Sequence, residues 1–421
     1  YEIVSRDWSS DVCSSDLYDW VSGFEEATGC QVNVTLGNTS DEMFTLMQSG
    51  GYDLVSASGD ASNRLISAGL VSPVNTDLIP NYVDLFEGLK LQPHNSKDGV
   101  PYGVPQGRGA NLLMFNTDVV SPAPTSWSAV FDPASPYAGK VTAYDSPIYI
   151  ADAALYLMAT QPELGITDPY ALDQTQFDAA MALLDSQKAL TSQYWADYTV
   201  QQGSLENGDV LAGTTWQVIV NLAQANGAKI DAVKPVEGAT GWSDTWMLSS
   251  KAANPNCMKL WMDWIASPWA NSQVAVWFGE APSNAKSCEL EGMAEHCATF
   301  HATEDDYWTD VWYWTTPTEE CLDGRTDVTP ASITRDEPEI FTVGEDFWEP
   351  HNYDDYDGEI TFRRALAMSR NLGTIHVGEA IGFDNVAKVW KRVGVGTPPK
   401  GYPAITLRSE EHTSELSHVK R

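Results

Sequence analysis

The sequence predicts an α/β protein built as two lobes around a hinged cleft, with parallel strands in its sheets. Three observations carry that expectation. Strand and helix patterns alternate from Tyr18 to Gly69. The alternation recurs from Lys140 to about Lys234. Helices rich in tryptophan then follow from Trp246 onward. At 421 residues the chain is also longer than one ordinary core can enclose, so two or three domains are expected.

Taken in order, residues 18–28 read as a helix with Trp20, Val21 and Phe24 on one side and Gly29 at its end. Residues 31–35 alternate as a strand. Thr39 or Ser40 caps a helix that carries Met43, Phe44, Leu46 and Met47. Residues 52–56 form a short buried strand, and residues 61–68 a helix stopped by Gly69. Open sheets of this kind bind ligands at the carboxyl ends of their strands. Ser58 and Asp60 follow such a strand directly. In the second run, residues 140–143 make a strand leading into Tyr144 and Asp145, residues 174–190 an amphipathic helix, and residues 209–216 a strand ending at Trp216. The helices 258–265 and 271–278 precede a segment bearing cysteines. Near Pro330 the pattern changes. The expected division is therefore 18–116 with 246–330 as the first lobe, 117–245 as the second, and 331–407 as a separate segment.

Charge excludes several functions. With 58 acidic and 24 basic residues the net charge is −34, and phosphate binding needs a basic footprint, so nucleic acid is excluded as a partner. An anionic membrane surface is disfavoured for the same reason. No run is apolar enough to span a bilayer, and no basic-then-apolar leader stands at the N-terminus.

The most informative stretch is Gly241-Trp-Ser-Asp-Thr-Trp246. Indole faces beside a carboxylate hold organic cations, because the ring quadrupole attracts the charge and the carboxylate neutralises it. Trp216 and Asp145 are placed to converge on the same box. The competing reading makes Trp242 and Trp246 core aromatics and Asp244 a turn cap. Gly107-Arg-Gly109 lacks the third glycine and the helix of a dinucleotide loop.

The two ends carry a different signal. Residues 408–416 and 9–17 can be written as opposite strands of one oligonucleotide that resembles a sequencing-library adapter. Residues 1–17 and 408–421 are therefore set aside as adapter-derived. By the family resemblance described next, the first strand of the first lobe is then expected to be missing.

From Tyr18 to about Val328 the chain resembles bacterial spermidine/putrescine-binding proteins, the extracytoplasmic receptors of polyamine ABC importers. The ordered blocks are residues 18–29, Gly51-Tyr-Asp-Leu-Val-Ser-Ala-Ser58, Val100-Pro-Tyr-Gly-Val-Pro105, Gly213-Thr-Thr-Trp216 and 241–246. The resemblance implies a type II periplasmic-binding-protein fold, a non-enzymatic monomer without cofactor or metal, and a membrane permease as partner. It places Ser58 to Asp60 in a ligand-contacting loop. Asp145 is given to an ammonium group, Trp216 and Trp242 to stacking on the ligand, and Asp244 to the main amine. Glu280 falls where the family often has an aromatic residue. Arg108 departs as well: a cation in the cleft wall repels a polyamine unless a carboxylate neutralises it, and it suits another solute that carries a carboxylate.

From about Ile333 to Ile405 the chain resembles the transpeptidase domain of class A penicillin-binding proteins, on Trp348-Glu-Pro-His-Asn-Tyr-Asp354 and Ser369-Arg-Asn371. The resemblance implies a peptidoglycan transpeptidase as the competing function. The nucleophile and K-T-G motifs of that domain are missing, since Ser283-Asn-Ala-Lys286 lies inside a solute-binding block. A fragment with one motif of three cannot acylate. Its apolar positions Phe362, Leu366, Ile375 and Val389 are expected to lack partners.

Extracytoplasmic cysteines oxidise. Cys288 and Cys297 are near enough in sequence to staple one loop. Cys30 ends the first helix and Cys257 begins a later helix of the same lobe, so they are a second candidate pair; Cys321 is left over. His296, Cys297 and His301 are read as a disulfide cysteine between surface histidines rather than as a metal cluster.

Overall fold

The structure is a computed structural model and describes residues 2–6, 19–37, 40–316, 333–343, 346–352, 355–368, 370–383 and 386–387. The chain divides into two compact units, Tyr1–Pro317 and Thr318–Arg421.

The larger unit is built on two sheets. The first has five strands in the order Asn33–Gly37, Glu2–Arg6, Leu54–Ala57, Thr245–Leu248, Gly103–Pro105. The first three run parallel and the last two antiparallel to their neighbours. The first strand is thus present, against the expectation that it is missing. Glu2–Arg6 pairs along its whole length with Asn33–Gly37 and, on its other edge, with Leu54 and Val55. Its central Ile3 and Val4 are β-branched residues that favour a pleated strand. Neighbours on both edges take up its backbone donors and acceptors. The adapter-like stretch 9–17 lies outside the described residues.

Helices close both faces of this sheet. Asp19–Thr28 and Pro255–Ile265 bury Phe24, Met258, Trp261, Met262 and Ile265 against Leu54 and Trp246. The Cys30–Cys257 disulfide joins these two helices at their ends. Ser40–Ser49 and Gly59–Ser67 bury Met43, Phe44, Met47 and Leu65 against Val55 and Met247 on the other side.

The second sheet has eight strands, and its spine is the ten-residue strand Gly107–Asn116. Ala212–Trp216, Ile230–Val233, Ala239–Trp242 and Ala281–Pro282 all pair antiparallel with this spine. Val141–Tyr144 lies parallel between Ala212–Trp216 and Thr191–Trp195. Val311–Tyr313 forms the far edge beside Ala239–Trp242. The lobes therefore part elsewhere than at the expected 116/117 and 245/246. The spine belongs wholly to the second sheet, and the chain returns to that sheet at Ala281. An apolar run such as Leu112 to Phe115 signals a buried strand but not which sheet it joins. The returning segment caps the second sheet, with Met293, Phe300 and Trp308 packed on Ala110 and Leu112. The Cys288–Cys297 disulfide lies within this cap.

In the smaller unit Ile333–Asp336 pairs antiparallel with Gly358–Thr361, and Phe341–Val343 with Asp346–Trp348. Helices Phe362–Ala367 and Asn371–Ile381 follow. Phe362 and Ile375 are buried here with Ile360, Ala365 and Leu372, contrary to the expectation that they lack partners. The reason is local: a Cβ on Gly373 would come within 2.8 Å of Ala365 Cβ, so the small residues let the two helices close on each other. The Leu366 side chain and Val389 lie outside the described residues. Arg370 bridges Asp336 and Asp357 at 3.8 and 2.9 Å. Ser369 is outside the described residues, and Asn371 donates from its side chain to the His351 carbonyl at 2.5 Å.

Candidate functional site

The chain passes between the two sheets at Gln106, at Ser243-Asp244 and at Gly279-Glu280. Each passage carries a buried polar residue, and hydrogen bonds tie the three together. The Gln106 backbone N–H donates to the Asp244 carbonyl at 2.8 Å. The Gln106 side-chain amide donates to Glu280 Oε1 at 3.0 Å and accepts from the Ser56 hydroxyl at 3.0 Å. Asn271 donates to the Gln106 carbonyl at 2.7 Å, and Ser243 to the Gly107 carbonyl at 2.8 Å.

Two carboxylates meet at these passages. Asp244 is 0% exposed, and its Oδ1 accepts from the Ser58 hydroxyl at 2.6 Å. Glu280 is also 0% exposed. Burial, and after it the charge of Asp244, push the Glu280 carboxyl well above the usual range, while the Gln106 amide opposes the shift. Glycine makes this packing possible. A Cβ at Gly107 would sit 2.2 Å from Glu280 Cδ, and one at Gly109 would sit 2.3 Å from Trp242 Cζ2. That is what the Gly-Arg-Gly run does here, in place of a phosphate loop.

Aromatic side chains from the second sheet stand as a group. Trp195 and Trp216 meet edge to face at 4.7 Å, and Tyr144 lies 4.8 Å from Trp195 and 5.2 Å from Trp216. Tyr144 stacks on Trp314 at 5.9 Å and 9°. The Trp216 indole N–H donates to Asn111 Oδ1 at 2.7 Å, which fixes the ring. Trp242 belongs to the same core group and meets Phe278 at 5.6 Å. Asn111 also donates to Thr240, and Thr240 to the buried Asp152, at 2.7 and 2.8 Å. Burial raises the Asp152 carboxyl to about 7 against these hydrogen bonds.

The structure thus joins Ser58 to Asp244 and groups Trp216 with Trp242. Trp246 instead packs edge to face on Trp261 in the core of the first lobe, as the competing reading of its motif held. Asp145 is exposed at the carboxyl end of its strand, next to Tyr144, with its backbone N–H on the Trp195 carbonyl at 2.7 Å. Asp60 accepts from Ser40 at 3.0 Å, and its carbonyl from Thr316 at 3.2 Å. Asp60 also lies close enough to Tyr170, from the second lobe, to help raise its hydroxyl pKa after burial and Asp152. His94 is buried beside Tyr313, and burial lowers its imidazole to about 4. Sequence reasoning did not single out Gln106, Asn111, Trp195 or Trp314. Gln106 carried a signal, since it directly follows the Val100 to Pro105 block.

Arg108 is buried and faces away from the carboxylates. It donates to the Ala302 carbonyl at 3.1 Å and to Tyr313 Oη at 3.4 Å, and it lies over the rings of Trp308 at 4.1 Å and Phe86 at 5.1 Å. Cys297 is in a disulfide and His296 meets the Glu280 carbonyl at 2.8 Å. Among the described residues no group of three or more His, Cys, Asp or Glu could hold a metal.

Comparison with known proteins adds the decisive observation: the pattern of the bacterial extracellular solute-binding proteins matches residues 19–301. The chain belongs to that family. Among relatives of this solute-binding protein, spermidine/putrescine-binding periplasmic protein 1 of Haemophilus influenzae is 25% identical over 251 residues, 56% of this chain and 66% of the relative. This chain therefore spans just under two thirds of that relative's length. The spermidine/putrescine-binding periplasmic protein of Escherichia coli is 23% identical over 271 residues, 63% of this chain and 74% of its own. The crystal structure of the spermidine/putrescine ABC transporter substrate-binding protein PotD from Streptococcus pneumoniae covers 75% of this chain and 93% of its own, with a TM-score of 0.62 at 17% identity. That likeness establishes the fold, a two-lobed α/β solute-binding fold. A separate stretch of 89 residues, 20% of this chain, is 37% identical to penicillin-binding protein 1A of Rickettsia conorii and covers 11% of it. No helix among the described residues is long and apolar enough to cross a membrane.

Proposed function

We propose that this solute-binding protein captures a linear polyamine of the spermidine/putrescine class outside the cytoplasm and hands it to the permease of an ABC importer. The observation that carries the reading is the pair Asp244 and Glu280. Both are fully buried on the passages between the sheets, and burial and mutual repulsion oppose ionising them together. In this reading an incoming ammonium brings positive charge to the pair. A charge pair out of water holds only where hydrogen bonds complete it. Ser58 and Gln106 provide those bonds here.

Trp216 and Trp242 offer ring faces to the methylenes and to the cationic ends of the ligand, each such contact contributing about 0.5–2 kcal/mol. Asp145, exposed at the carboxyl end of its strand, takes a second ammonium group in this reading, and Asp60 with Ser58 belongs to the loop from the first lobe. Closure of the lobes follows from the ligand binding the closed state more tightly than the open one. The protein acts as a monomer, and no step in this account is catalytic. The transpeptidase reading rests on the smaller unit, which holds one partial motif.

Isothermal titration of the intact chain with spermidine, putrescine and neutral diols of equal length tests the reading. Heat from the amines alone supports it; no heat from either amine rejects it. Covalent labelling by a fluorescent penicillin would favour the transpeptidase instead.

A further inference from the structure

A further segment joins the two lobes, at the carboxyl ends of their strands rather than at the three passages. The edge strand Val311–Tyr313 keeps Trp314 on the second sheet, where the Trp314 N–H donates to the Gly241 carbonyl at 2.7 Å. The Trp314 ring stacks on Tyr144, which ends the strand Val141–Tyr144. The next contacts are with the first lobe. The Trp314 carbonyl lies so close to Gly59 that a Cβ there would be 1.8 Å from the oxygen. The Asn63 side-chain amide donates to Thr315 Oγ1 at 2.7 Å and to the Thr316 carbonyl at 3.3 Å. The Thr316 hydroxyl donates to the Asp60 carbonyl at 3.2 Å. One residue before Trp314, Tyr313 meets His94 edge to face at 5.8 Å, and His94 also borders Gly59.

Gly59 opens the helix Gly59–Ser67, directly after Ser58 and the strand Leu54–Ala57. Trp314 thus stands between a strand end of each sheet, the place where open sheets take their ligands. Its carbonyl against a glycine and three hydrogen bonds to one helix form a local set that breaks together when two lobes part. We propose that residues 314–316 are a strap that ties the lobes across the cleft, and that solute enters and leaves when the strap lets go of the helix Gly59–Ser67. The proposal goes beyond the reading of Asp244 and Glu280 and takes from it only the choice of spermidine as probe.

Two variants of the full chain test this. Gly59→Ala suits a helix, but its methyl takes the space of the Trp314 carbonyl. Asn63→Ala removes both bonds that Asn63 donates to the strap. Hydrogen exchange read by mass spectrometry follows the Trp314 amide without ligand, and each variant should speed it by about fivefold or more, the ratio for one lost hydrogen bond. Stopped-flow fluorescence then follows spermidine. Association and dissociation should both quicken by about fivefold or more, because the open form becomes more populated and the closed form less tightly held. Loss of a direct ligand contact would quicken dissociation alone. The proposal is overturned if the Trp314 amide exchanges at the unsubstituted rate in both variants, or if dissociation quickens with association unchanged. If the unsubstituted chain binds no spermidine, the polyamine reading fails and the exchange result alone decides the strap. If Gly59→Ala does not fold, Asn63→Ala decides.

Discussion

The two halves of the cleft are built from different materials. The passages between the sheets and the first lobe bring oxygen: Asp244, Glu280, Ser56, Ser58 and the Gln106 amide, cross-linked at 2.6–3.0 Å. The second lobe brings rings: Tyr144, Trp195, Trp216 and Trp314, with centroids 4.7–6.4 Å apart. In the proposed reading, charge is neutralised at the passages between the sheets and the carbon chain is gripped by the second lobe. Recognition of an amine and closure over its methylenes are therefore separable, and substitutions should affect them separately.

The largest effect is expected on the charged half. Asp244→Asn keeps the shape and the Ser58 contact but removes the charge. It should weaken spermidine by about 100-fold or more, the ~3 kcal/mol typical of truncating a buried charge pair. Equilibrium dialysis with radiolabelled spermidine measures this. A change under threefold would mean the amine is held elsewhere.

On the aromatic half, Trp216→Ala should cost about tenfold, ~1–2 kcal/mol, and should penalise longer polyamines more than short ones. Neutral diols should be unaffected by Asp244→Asn and unbound throughout. If Trp216→Ala and Asp244→Asn altered the ligand series in the same proportion, the division of labour would be wrong.

The smallest effects are those of pH, and they separate the two lobes again. Burial and, after it, Asp244 favour the protonated form of Glu280, and a bound ammonium favours the ionised form, so binding is expected to release protons. Spermidine affinity should rise with pH and lose that slope in Glu280→Gln. Asp152, in the second lobe, touches no proposed ligand group. Its carboxyl is raised from 3.8 to about 7 by burial, so the folded state binds the extra proton between those values. Its contribution to stability is present below pH 3.8 and is lost as pH rises to about 7. Asp152→Asn should flatten that part of the melting profile without changing the pH slope of binding.

Much of the fold was legible in the sequence because period and punctuation are local. Phe24 on a helix face, Gly69 after a helix and Trp216 at a strand end all read correctly from their neighbours. The Trp-Ser-Asp-Thr-Trp motif was readable only in part. Its alternation along a chain that changes sheets sends Trp242 to the second lobe and Trp246 to the core of the first. What stayed hidden is non-local. Nothing near Glu2–Arg6 announces two parallel partners. Nothing near Ala281 says that the chain rejoins the sheet it left at Trp242. Gln106 and Asn111 acquire their roles through partners more than a hundred residues away, Glu280 and Trp216 respectively.

The central claim is that an ammonium group occupies the space between Asp244 and Glu280. A crystal structure of the protein with spermidine tests this most directly. The account predicts a terminal nitrogen within about 3 Å of an oxygen of Asp244 and of Glu280, with the adjoining methylenes on the Trp216 face. Density for spermidine anywhere else, with Glu280 still held only by Gln106, would contradict it.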